Sequence, residues 1–181
     1  GEIPLCPYDS CRLLAINLYS YVVNPFKPDA YFDYDLFKKH VALAQRIMDD
    51  IIDLELEKIE RIIAKIDADP ESEEIKYTER HLWEKIYTKS GQGRRTGVGI
   101  TAEGDMLAAL GLRYGTEEAT DFSEKIHQLI AVNAYRSSVE MAKERGAFEI
   151  YDSKREQNNP FINRLREADP ELYAEMKKYG R

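Results

Sequence analysis

Cysteine is nearly missing from this 181-residue chain: the only two, Cys6 and Cys11, stand five positions apart near the beginning. A framework of several disulfides is therefore excluded. One bridge across so short a loop would constrain the unfolded chain little, so the thiols are expected to be reduced or redox-active. Histidine is scarce too, at three residues. Two Glu-x-x-His sequences are needed for a di-iron carboxylate bundle, and only Glu124-x-x-His127 is present, which leaves His127 as a helix-surface or partner-facing residue. No apolar run approaches the roughly 18 residues of a membrane span. Basic residues are outnumbered, giving a net charge of −7, which argues against nucleic acid because phosphate binding needs a basic surface. The first residues, with Glu2 and Pro4, do not form the basic-then-apolar pattern of a secretory leader, and the cytoplasm is the expected compartment.

What is present is a helix-rich soluble pattern. Apolar residues make up 43% and charged residues 33%, enough for one domain with a core. Residues 12–18 form a short apolar run that periodicity alone leaves as either strand or helical turn. Residues 19–33 read as an irregular connection, with Pro25 and Pro28 against any regular element. Asp33 is placed to cap a helix bearing Leu36, Phe37, Val41, Ala44, Ile47, Met48, Ile51 and Ile52. A second helical stretch, Leu54 to Ala68, stops at Asp69-Pro70. A third, charged helix over 71–89 has Ile75, Leu82, Trp83 and Ile86 on one side, and its acidic start, Glu71 to Glu74, suits the helix dipole.

Glycines at 91, 93, 97 and 99 mark a loop with a short strand around Gly97-Val-Gly-Ile100. Thr101 is expected to cap a helix to Leu110, ended by Gly111. The longest helix is expected from Thr116 to about Arg145, ended by Gly146. A polar loop over 151–159 precedes short helices that begin at Pro160 and Pro170. The fold class is thus mostly α with one or two short strands.

Two further clusters invite chemistry. Asp49-Asp-Ile-Ile-Asp53 has the form of a magnesium-diphosphate motif, with Asp49 and Asp53 on one helix face. A magnesium site needs more convergent oxygens, and no second acidic motif faces it. Arg94-Arg95, followed by glycines before a helix, suits either an anion site or a tight turn whose arginines sit in salt bridges. The glycine spacing excludes a dinucleotide fingerprint.

Three segments resemble the catalytic subunit of ribonucleotide reductase, most closely its adenosylcobalamin-dependent branch. The first is Gly1-Glu2, Pro4-Leu5 and Tyr8-Asp-Ser-Cys11. The family pattern runs Asn-x-Cys-Gly-Glu, Pro-Leu, then Cys and a barrel strand. The second is Arg94-Arg-Thr-Gly-Val-Gly-Ile-Thr-Ala-Glu-Gly-Asp-Met-Leu107. The third is Ala134-Tyr-Arg-Ser-Ser-Val-Glu-Met-Ala-Lys-Glu-Arg-Gly146, with Asn159-Pro-Phe after it.

The resemblance implies a piece of a ten-stranded α/β barrel. In it, 1–18 would be a finger-loop exit and barrel strand, 33–90 helices, 94–146 a turn, strand and helices, and 147–181 a loop and short helices. It implies that Glu2 is a general acid or base and that Cys11 is one of two thiols that reduce the ribose, while Cys6, without a counterpart, is a packing residue. It also implies adenosylcobalamin, thiyl-radical reduction of ribonucleotides for deoxyribonucleotide and DNA synthesis, and a thioredoxin-type reductant. The partners would be the remaining segments of the reductase, with a homodimer among the expected assemblies. The thiyl-forming cysteine and the substrate-phosphate loop of the family are not in the sequence, so the chain by itself is expected to be inactive. A non-catalytic helical module of the same ancestry and a metal-dependent reductase remain the alternatives.

Overall fold

The computed structural model describes residues 4–181. Its centre is a parallel pair of strands, β1 (Arg12–Asn17) and β4 (Thr96–Thr101), in register from Arg12 opposite Thr96 to Asn17 opposite Thr101. The strand reading of residues 12–17 therefore holds. Parallel neighbours need a long crossover, and two helices supply it here: α1 (Tyr34–Ala68) and α2 (Glu73–Gly93).

α1 is one helix of 35 residues, not two stretches. No glycine or proline interrupts 34–68, so nothing breaks it at Asp53. Its cap is the expected one, with the Leu36 N–H donating to Asp33 Oδ1 at 3.0 Å. Buried Phe37, Val41, Ala44, Met48 and Ile52 occupy the first half. Bonds to α2 belong to the second half: Arg80 to Asp67 at 2.5 Å and the Tyr87 hydroxyl to Glu60 at 2.9 Å. α2 runs past the expected end at residue 89, through Gly91 to Gly93, and stops where Arg94 takes a left-handed conformation. Ile75 and Leu82 on α2 stay exposed.

Three other readings are corrected. Residues 19–33 hold a 3-10 turn (Leu18–Tyr21) and an antiparallel bridge of β2 (Val22–Val23) with β3 (Tyr31–Phe32). Pro25 and Pro28 fall in the loop between the bridge strands, where no ladder N–H is lost. Thr101 ends β4; the residue before α3 (Glu103–Ala109) is Ala102, at φ +60° without a side-chain cap. The polar stretch 151–159 contains one helical turn, α5 (Ser153–Glu156).

α4 (Glu117–Arg145) begins at its expected cap, Thr116, and ends at Gly146. α6 (Pro160–Ala168) and α7 (Pro170–Tyr179) each start on proline. A large core joins Leu14, Ile16, Val98 and Ile100 of the strands to α1, α3 and α4 around Phe37, Phe32 and Tyr21. Val139 of α4 packs with Ile162, Leu165, Leu172 and Met176 in a second core. Among the described residues no helix is long and apolar enough to cross a membrane.

The end of α7 depends on Gly180, which adopts φ +78°, and a Cβ there would lie 2.5 Å from the Ala147 Cβ and 3.2 Å from Tyr151. Neither neighbour atom is the loose end of a long side chain. Gly180→Ala is expected to cost about 1–3 kcal/mol by overpacking at a backbone angle that disfavours L residues. Chemical denaturation read by far-UV circular dichroism measures it; an unchanged midpoint counts against this docking of α7.

Candidate active site

The strand pair has two unlike faces. Leu14, Ile16, Val98 and Ile100 point into the core. Leu13, Ala15 and Asn17 point away and are exposed, Leu13 by 63%, beside Gly97, Gly99 and Thr101. Parallel sheets are ordinarily covered on both faces, so this open, small-residue face is unusual. Cys11 stands at its N-terminal end. Its half-buried Sγ lies 3.5 Å from the position a Cβ on Gly97 would take, a position that Leu13 Cδ2 crowds at 2.6 Å. The Cys11 Sγ also approaches the Arg12 carbonyl oxygen at 3.8 Å.

Three arginines lie at the N-terminal end of the strand pair. Arg12 reaches to the helix side, pairing with Glu55 of α1 and donating to Ser90 Oγ of α2 at 3.0 Å. Arg94 donates from Nε to Asp49 Oδ1 and from Nη1 to Asp53 Oδ1, both at 2.7 Å. Burial opposes the Arg94 charge, but the bonds to Asp49 and Asp53 outweigh it and hold its pKa above the ordinary arginine value. Arg95 donates from Nε to Asp9, and its Nη2 lies 3.9 Å from the Cys6 sulfur. The Asp9 hydrogen bond is the main cause of a raised Arg95 pKa, against some loss from burial. Of the two readings of Arg94-Arg95, the salt-bridged turn before a strand is therefore the one observed.

The aspartate motif is neutralised in the same way. The carboxylates of Asp49, Asp50 and Asp53 converge closely enough for one cation. The cations already there are guanidinium groups: Arg145 donates to Asp49 at 3.0 Å and to Asp50 at 3.2 Å, beside Arg94. Asp49, only 8% exposed, pins α1 to the β4 entrance and to the end of α4.

Of the residues singled out from sequence, Glu2 lies outside the described residues. Cys11 is placed on the open face. Cys6 is not a packing residue but exposed. It belongs to a turn closed by the Asp9 N–H on the Cys6 carbonyl at 3.1 Å, whose side chains meet Arg95 instead of the core. His127 is on the helix surface as expected, with Nδ1 2.9 Å from the Ser123 carbonyl. Asp9 and Arg12 stand beside Cys11 in sequence and Ser90 far from it, and no periodicity rule marks any of the three as part of this charged cluster.

Comparison with known proteins gives this arrangement its family. Residues 1–180 match the family described as ribonucleotide reductase, barrel domain. A vitamin B12-dependent ribonucleoside-diphosphate reductase of Thermoplasma acidophilum is 32% identical over 148 residues, 82% of this chain and 16% of that protein. One from Mycobacterium tuberculosis is 29% identical over 155 residues, 86% of this chain and 18% of that protein. The alpha subunit of a Chlamydia pneumoniae ribonucleoside-diphosphate reductase is 27% identical over 145 residues, 80% of this chain and 11% of that protein. The chain thus spans less than a fifth of the length of these relatives. A parallel strand pair with helical crossovers on one face and an open face on the other is what two neighbouring strands of such a barrel require, and the chain belongs to the ribonucleotide reductase barrel-domain family.

Proposed function

We propose that this chain forms part of the catalytic barrel of a reductase that converts ribonucleotides to deoxyribonucleotides, with Cys11 as a redox thiol. The observation that supports it most is the position of Cys11: at the start of a barrel strand, on the open face, against a glycine. Removing the ribose 2′ hydroxyl consumes two electrons and two protons. Two thiols supply them by closing to a disulfide. Cys11 is one of these thiols, and the second comes from another part of the protein. Glu2 is the proton-transfer group for the neighbouring hydroxyl, a role a carboxylate fills when its pKa suits.

The relatives' names point to a ribonucleoside diphosphate substrate and to cobalamin. The described residues include cavities of about 390–600 Å³, a size for drug-like ligands. The most polar cavity is lined by Arg94 and Arg145, already paired with aspartates. No residue of this chain is therefore assigned to hold cobalamin, and no step is drawn through it. This chain's share of the work is the redox thiol and its support.

The test is reduction of a ribonucleoside diphosphate by the full-length protein with a dithiol reductant. Turnover is expected with adenosylcobalamin and not without it, and none is expected from residues 1–181 alone. Turnover that needs a separate metal-radical subunit moves the protein to the metal-dependent branch. No turnover under either condition leaves a non-catalytic module of the family.

A further inference from the structure

Cys6 is the second thiol of this chain, and neither the family pattern nor the proposed chemistry uses it. Its surroundings are not those of a surface accident. The register of β1 and β4 places Arg12 opposite Thr96, and the Arg12 N–H donates to the Arg95 carbonyl at 3.4 Å. Cys11 and Arg95 are the residues that immediately precede this first pair. Alternation along strands puts Arg95 on the same open face as Gly97, beside Cys11. The Arg95 side chain then extends to Cys6, 3.9 Å from its Nη2. Arg95 thus links the two cysteines: its carbonyl accepts from the residue after half-buried Cys11, and its tip meets exposed Cys6. Asp9, between the two cysteines in sequence, holds Arg95 in that position.

We propose that Cys6 and Cys11 form a dithiol–disulfide couple, in which exposed Cys6 carries oxidation from Cys11 to the surface. Two general properties support it. The connecting loop has only four residues between the cysteines, so a bridge gains little from chain entropy and is easily reduced, as an exchanging disulfide must be. Residues 4–11 contain one turn and belong to no helix or strand, so Cys6 can approach Cys11 without breaking a sheet.

The exchange balances. The Cys6 thiolate attacks the Cys11 sulfur of an existing disulfide, forming the Cys6–Cys11 bond and releasing the other sulfur as a thiolate. An external dithiol then attacks Cys6, becomes a disulfide itself and returns its two protons to Cys6 and Cys11. Within catalysis this rests on Cys11 being the redox thiol proposed above; the couple itself does not.

The chain is equilibrated with mixtures of reduced and oxidised glutathione, quenched by acid and read by intact-mass and peptide mass spectrometry. The expected product has lost two hydrogens and contains a Cys6–Cys11 disulfide peptide. Cys6→Ser and Cys6→Ala should instead carry one glutathione on Cys11. A wild-type chain that takes one glutathione on each cysteine, stays reduced under oxidising mixtures, or links only to a second chain overturns the couple. Failure of the reductase reading appears elsewhere, as cobalamin-supplied full-length protein that does not turn over while the couple still forms.

Discussion

Cys11→Ser in the full-length protein is expected to abolish multiple-turnover nucleotide reduction while leaving the protein folded. The hydroxyl is close in size to the thiol but cannot close a disulfide, so the two-electron step has no donor. The structural cost is small. Cys11 is half-buried just before β1 and the exchange conserves its volume; such substitutions usually stay within about 1 kcal/mol. Steady-state turnover with an external dithiol, together with a thermal melt, separates the two effects. A folded variant that turns over within about tenfold of the parent, about 1.4 kcal/mol of barrier, removes Cys11 from the reaction.

Asp49→Ala is expected to produce the largest loss of stability among substitutions at the arginine–aspartate cluster. Asp49 receives hydrogen bonds from Arg94 at 2.7 Å and Arg145 at 3.0 Å and is only 8% exposed. Alanine leaves the Arg94 guanidinium, 19% exposed, with Asp53 as its only carboxylate partner, besides the backbone carbonyl of residue 49. Removing one member of a buried ion pair costs about 3–5 kcal/mol. Arg145 and Asp53 are better exposed and screened, which lowers the expectation here to about 2–4 kcal/mol. For a chain of this size that is a drop of roughly 4–16 °C in melting temperature. Asp50→Ala, at an exposed position bonded only to Arg145, should cost under about 1 kcal/mol. If the three aspartates instead formed a magnesium site, millimolar magnesium would raise the melting temperature of the wild-type chain and not that of Asp49→Ala. Equal melting of Asp49→Ala and Asp50→Ala would refute the pinning role.

Much of the helical pattern was legible. Asp33 and Thr116 cap their helices through side-chain oxygens, Pro160 and Pro170 open theirs, and Gly146 closes α4. These are local effects, set by a side chain bonding or excluding backbone a few residues away. The misses concern helix boundaries. The two stretches read on either side of Asp53 are one helix, because no glycine or proline interrupts it. Gly91 and Gly93 looked like loop residues. Both lie in the last turn of α2, which ends at the left-handed Arg94, where the helix penalty of glycine is only about 1 kcal/mol per residue.

The sequence by itself determined the helix-rich class, the caps and stops, the family resemblance and Cys11 as a candidate thiol, because each resides in short-range order or in residue identity. Only the tertiary structure decided how the charges are spent. Arg94 and Arg95 could have held an anion, and Asp49, Asp50 and Asp53 a metal; folding brings residues more than forty positions apart together, and the arginines and aspartates satisfy each other. It likewise moved Cys6 from the core to the tip of Arg95. A charge selects its partner by distance in space, and a linear pattern does not contain that distance.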